Sequence, residues 1–265
     1  SIPSEIVKIA GTHAAFSEFG SLFMTMTSGD SLRRARQRLE TEQLFGQEFI
    51  PRPVASCPQG EPSDRRGPAP GAAPSESLES IEARFQEVFP LGEQLAGATQ
   101  PVFGEGNPEA DLMFIGEAPG ADEDRVGRPF VGAAGRKLDD IIAAMGFARS
   151  EVYIANLLKA RPPRNRNPLP DEIADHAPFL VGQIRAIRPK VIVALGRPSA
   201  HYLLQTSTSI SRLRGVWGRW EDEGWPVDVM PTFHPAFLLR QYTPEVRGQV
   251  WSDMQQVISR LQELS

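Results

Sequence analysis

The sequence predicts an α/β protein, a three-layer α/β/α sandwich on a central, mostly parallel four-stranded sheet. Three observations predict it. Short apolar runs alternate with amphipathic segments of helical spacing. The runs Asp111–Gly116 (DLMFIG) and Lys190–Leu195 (KVIVAL) are apolar on consecutive residues, as strands buried on both faces are. Polar and glycine-containing motifs follow the runs, and ligands bind at the carboxyl ends of the strands in such sheets.

The elements follow in order. Ser31–Phe49 reads as a helix, with Leu32, Ala35, Leu39, Leu44 and Phe45 recurring at roughly helical spacing. Pro51–Pro74 holds seven prolines and almost nothing large and apolar, so it reads as a linker or mobile loop. Residues 1–50 are therefore an N-terminal segment, 51–75 a linker and 76–265 the catalytic domain. Leu78–Phe89 looks helical. Asp111–Gly116 is a buried strand entering a loop. Gly135–Met145 is a helix with Leu138, Ile141, Ile142 and Met145 on one face, closed by Gly146. Val152–Asn156 is the second strand. Pro170–Ile187 is a helix opened by proline and acids, with Pro189 beyond its end. Lys190–Leu195 is the third strand, Pro198–Leu204 begins a helix, Val227–Pro231 is the fourth strand, and Pro244–Leu261 is a closing helix.

Composition bounds the function. The 265 residues are 40% hydrophobic and 23% charged, ordinary for a globular protein. No run approaches the ~18 apolar residues of a membrane span, and Ser1–Met26 does not read as a signal peptide. Met24 and Met26 are candidate natural starts, which would make residues 1–23 a cloning remnant. The single cysteine, Cys57, can form neither an internal disulfide nor a four-thiolate metal site, and a reducing cytoplasm is its natural compartment. The net charge of −5 argues weakly against a nucleic-acid partner. Basic residues nevertheless gather in Arg125–Arg128, in Arg136–Lys137 and above all in Lys159–Arg166.

Candidate functional residues stand at the strand ends. The first strand delivers Gly116-Glu117-Ala118-Pro119-Gly120, a tight loop that can approach a ligand, with Glu117 either activating water or capping the next helix. Phe130 is either a stacking platform or a core plug. Asn156 ends the second strand. Arg161, Arg164 and Arg166, interleaved with prolines, suit phosphate contacts or simple solvation. Gly196 and Ser199 lie where a helix N-terminus could take an anion, or in an ordinary turn. His234, fixed before a proline at the last strand end, precedes Phe237, Leu238, Leu239 and Arg240. Those apolar residues belong in a buried loop unless they enter something else.

GEAPG followed by acids, RPFVGAAG, NLLKARPPRNRNP, KVIVALG and TFHPAFLLR, in that order, resemble the family 4 uracil-DNA glycosylases from about Val102 to the C-terminus. The resemblance implies a DNA-repair enzyme that hydrolyses the N-glycosidic bond of uracil in DNA. It implies that Glu117, between Gly116 and Ala118, places the attacking water. Phe130 would stack on the flipped uracil, Asn156 would read its edge and His234 would stabilise the departing base. Leu238, Leu239 and Arg240 would fill the hole left in the duplex, while Gly196 and Ser199 would hold a phosphate. Glu123 matches a second acid of the first motif. The departure from the family is its four cluster cysteines: 84–101 contains none, Ala160 stands in the third position and His176 in the fourth. Four thiolates are needed for such a cluster, so no cofactor is expected.

The expected partners are uracil-containing DNA and the abasic product, with no membrane and a monomeric chain. The methyl group of thymine meets no large aromatic residue at Gly120, so its exclusion stays open. Alternative readings are a protein that binds uracil or abasic DNA without turnover, a glycosylase for another deaminated base such as hypoxanthine, and a nucleotide-binding regulator.

Overall fold

The computed structural model describes residues 76–265. The expected helix at Ser31–Phe49, the proline-rich linker and Cys57 lie outside the described residues. Helix α1 (Leu78–Val88) is capped by the Ser77 hydroxyl, which accepts from the Ser80 N–H. Then come β1 (Glu105–Gly106), β2 (Leu112–Gly116), α2 (Ala121–Val126), α3 (Ala133–Ala144), β3 (Tyr153–Asn156) and α4 (Pro170–Ile187). The chain continues through β4 (Val191–Leu195), α5 (Arg197–Leu204), α6 (Ile210–Leu213), β5 (Gly218–Asp222), β6 (Trp225–Thr232), α7 (Pro235–Arg240) and α8 (Pro244–Glu263).

The sheet runs β1-β3-β2-β4-β6-β5. The four expected strands are its four parallel members, β3, β2, β4 and β6. The sheet has six strands because β1 and β5 add antiparallel edges. Both edges are weak in sequence. β1 is two residues long, and β5 buries only Trp220 among polar neighbours. β5 joins β6 through Glu223-Gly224, a two-residue turn with φ of 48° and 79°. Positive φ at both central positions matches the twist of a hairpin.

Alternation along the strands builds the two outer layers. Leu112, Phe114, Val191, Val193 and Leu195 face one side with α3 and α8, whose Leu138, Ile141, Ile142, Trp251 and Met254 are buried there. Met113, Ile115, Ala155, Ile192 and Ala194 face the other side with α4 and α5. Side chains point to opposite faces at successive strand residues, so a strand apolar at every position must be covered on both faces. None of the described helices is long and apolar enough to cross a membrane.

Register sets the rim of the sheet. Gly116 pairs with Asn156, and Leu195 pairs with Thr232. The parallel strands therefore stop together, and Glu117, Asn156, Gly196 and His234 all emerge at their carboxyl ends. Trp251, only 1% exposed, anchors α8 against this scaffold. Trp251→Ala removes a large buried ring, and urea unfolding should show a loss of about 3–5 kcal/mol; a loss below about 1 kcal/mol would show that the layer closes without it.

Candidate active site

The amide oxygen of Asn156 is buried and has no hydrogen-bond partner among the described residues. The residue is only 2% exposed. Beside it, a Cβ built on Gly116 would lie 2.3 Å from Asn156 Oδ1 and 2.5 Å from Phe130 Cζ. Only a residue without a side chain lets the strand end, the amide and the ring converge. The Asn156 main chain is held from below, where the Lys159 ammonium donates to its carbonyl at 2.7 Å.

Phe130 and His234 stand face to face, ring centroids 5.7 Å apart and planes 30° apart. Phe130 is both buried and strained, with φ at +50°. Its loop is held by Glu123, which accepts from the Val131 and Gly132 N–H groups at 2.9 Å, and by Arg149, which donates to the Pro129 carbonyl at 2.6 Å.

His234 is the residue before the first turn of α7, and its Nδ1 accepts from the Ala236 N–H at 3.1 Å. An accepting nitrogen carries no proton, so the neutral ring carries its proton on Nε2. Burial, then the nearby Arg240 charge, depresses its pKa to about 4. At neutral pH His234 is thus an uncharged donor. Close packing fixes the ring's base, since a Cβ on Gly196 (φ 90°) would come within 3.0 Å of the His234 Cβ. Glu117 is half-buried at the same rim. Burial raises its pKa, and Arg197 opposes the rise.

The other sequence-predicted site residues differ in exposure and in bonding. Ser199 is fully buried, and its hydroxyl donates to the Leu195 carbonyl at 2.9 Å. Leu238 is a core residue, 1% exposed, whereas Leu239 is 46% exposed and Arg240 lies at the surface beside it. The segment is helix α7 rather than a loop, so its apolar residues divide between core and surface. Arg166 forms a two-pronged pair with Glu172, at 2.5 and 2.8 Å, closing the start of α4. Arg161 donates to Asn165 at 2.7 Å. Arg164 is exposed and makes no such contact among the described residues. Ala118 lies half-buried in the loop after Glu117.

Lys159 counted in the sequence as part of the basic loop, yet it is fully buried. Its ammonium reaches Gln183 Oε1 at 2.5 Å as well as the Asn156 carbonyl, and burial drives its pKa well below the usual range. A signal was present: Lys159 sits between Leu158 and Ala160 in an apolar run. Its own N–H donates to His176 Nδ1 at 3.0 Å, while His176 Nε2 meets the Leu91 carbonyl at 3.2 Å. His176 thus joins three segments. These residues do not fit an iron–sulfur cluster. Ala160 offers no ligand atom, and both His176 nitrogens are engaged. The only cysteine in the chain is Cys57.

A buried amide, a neighbouring aromatic ring and a neutral histidine donor at a parallel sheet's rim suit a planar heterocycle. Residues 103–255 match the uracil DNA glycosylase superfamily, and the chain belongs to it. Within that superfamily it aligns with type-4 enzymes. It is 45% identical over 163 residues to the type-4 uracil-DNA glycosylase of Archaeoglobus fulgidus, covering 60% of this chain and 81% of that protein. It is 45% identical over 159 residues to the Saccharolobus solfataricus protein of the same name, covering 58% and 73%. The Thermotoga maritima type-4 protein is 42% identical over 168 residues, covering 61% and 83%.

The buried histidine has a consequence for stability. Burial, chiefly, lowers the His176 pKa from 6.5 to about 4 in the fold. Between those values the unfolded chain binds the proton and the folded one does not, so stability falls as pH drops from 6.5 toward 4. His176→Gln should flatten that fall by up to about 1.4 kcal/mol per pH unit, read from urea unfolding at pH 7, 6 and 5. An unchanged slope would mean that His176 is already charged in the fold.

Proposed function

We propose that this chain excises uracil from DNA, hydrolysing the N-glycosidic bond to leave an abasic site. The observation that carries the reading is the unpartnered Asn156 oxygen beside Gly116 and Phe130. A buried acceptor left unpaired costs about 1–3 kcal/mol, so it awaits a donor. Uracil N3–H is such a donor, and its O4 takes the amide N–H in return. Cytosine presents an acceptor at N3 and a donor at N4, and leaves both sides of the amide unsatisfied. A base inside a duplex cannot reach this slot and must be flipped out. Phe130 then offers its face, and stacking of this kind is worth about 1–3 kcal/mol.

Bond cleavage leaves negative charge on uracil O2 and an oxocarbenium-like sugar. His234, neutral with its proton on Nε2, donates to O2 as that charge grows. Glu117, with the main chain of Gly116 and Ala118, orients the attacking water and balances the cationic sugar. The exposed Leu239 and Arg240 enter the space vacated in the duplex, and Arg164, Arg161 and the Gly196 turn contact phosphates. The enzyme works without an iron–sulfur cluster. It acts as a cytoplasmic monomer on uracil-containing DNA and releases an abasic product.

A single-turnover assay on a uracil oligonucleotide, read as alkali-labile breaks, tests the reading. The wild-type protein should cut at uracil. His234→Ala should be slower by roughly a hundred- to a thousandfold, the loss expected for one donor to a developing anion, at nearly unchanged DNA affinity. A wild-type protein that binds uracil DNA and makes no breaks would identify a binding protein instead. A His234→Ala protein with near-normal rate would remove His234 from the chemistry.

A further inference from the structure

Glu123 receives three main-chain N–H groups on one carboxylate. Its Oε2 accepts from Gly120 at 3.1 Å, which closes the N-terminus of α2 as an ordinary cap. Its Oε1 accepts from Val131 and Gly132 at 2.9 Å each. Those two belong to a different loop, the one that presents Phe130. One side chain therefore joins the loop leading from Glu117 to the loop carrying the ring.

That loop needs holding. An aromatic residue at φ of +50° lies in a region that only surrounding contacts make tenable. Gly135 supplies one contact, since a Cβ there would lie 1.9 Å from the Phe130 carbonyl oxygen. Arg149 supplies another through the Pro129 carbonyl. Glu123 supplies the two that follow the ring directly. The fit around the carboxylate is close on both loops. A Cβ on Gly120 would stand 2.7 Å from Oε2, and one on Gly132 would stand 3.3 Å from Oε1. A carboxylate has only acceptors to offer, which matches three donors. A glutamine amide would turn its NH2 group against at least one of them.

We propose that Glu123 is a positioning residue for Phe130: by bridging the two loops it sets the ring against His234 and in register with Glu117. It touches no substrate and acts through the ring. The inference rests on the uracil-excision reading.

The test is a double-mutant cycle with Glu123→Gln and Phe130→Ala, read as single-turnover excision at saturating enzyme. Glu123→Gln alone should slow excision by about ten- to a hundredfold, the loss of one or two hydrogen bonds to a charged group. Placed on Phe130→Ala, the same change should cost less than about threefold, because the ring it positions is gone. Affinity for uracil-free duplex should stay constant. A cap that only stabilises the fold would lower the melting temperature and slow both backgrounds by the same factor, and that additivity would overturn the proposal. So would a Glu123→Gln enzyme of full rate. Should Glu123→Gln fail to fold, Glu123→Asp keeps the charge on a side chain one methylene shorter, and the same non-additivity is expected of it. A wild-type chain inactive on uracil would overturn the function and this inference together, whereas an additive cycle in an active wild type overturns this inference alone.

Discussion

A buried amide oxygen without a donor among the described residues is a cost to the fold, and Asn156 bears it at the rim of the sheet. The strand register puts Asn156 level with Gly116, which leaves room for the amide. Lys159 grips the Asn156 carbonyl from the interior, and Gln183 grips Lys159 while donating to the Phe103 carbonyl and the Tyr153 hydroxyl. This polar chain ties the strand end to α4 in a region with no solvent. On the proposed reading, the missing bond of the Asn156 amide is left for the base.

The second feature of the site is that its walls come from loops and are fixed by main-chain contacts. Phe130 holds a strained backbone, Glu123 and Arg149 grip the loop from two sides, and His234 is locked by the helix it caps. The same capping bond selects the tautomer, and burial keeps the ring uncharged near neutral pH. A neutral donor gains most when charge appears on its partner, which is why the proposed mechanism gives this histidine to the departing anion. At two positions where type-4 enzymes resemble one another in carrying cysteine, Ala160 is packed in the core and His176 joins the Lys159 N–H to the Leu91 carbonyl.

Much of this was legible in the sequence. Apolar runs such as DLMFIG and KVIVAL admit only a strand covered on both faces, and the Pro170–Ile187 helix begins and ends where its proline and acids place it. The strand-end positions of Glu117, Asn156 and His234 followed from those runs. The edge strands did not show, because β1 is too short for a pattern and β5 carries one buried ring among polar residues. Nor could a one-dimensional pattern tell which arginine is free. Arg166 and Arg164 look alike until Glu172 comes within reach of one of them. Leu238 and Leu239 are likewise identical neighbours, and only the rotation of α7 decides that one enters the core. Lys159 read as surface charge because its partners, a main-chain carbonyl and a glutamine, lie three and twenty-four residues away.

Asn156→Asp tests most directly whether the Asn156 amide reads the base. An ionised carboxylate has no donor for uracil O4, so uracil excision should fall. A protonated one can donate to cytosine N3 while its other oxygen accepts from the N4 amino group. Burial favours the protonated form. Single-turnover assays on matched uracil and cytosine oligonucleotides should show weak cytosine release that grows as pH is lowered. An Asn156→Asp enzyme with full uracil activity and no cytosine release would contradict the account and place the reading of the base elsewhere.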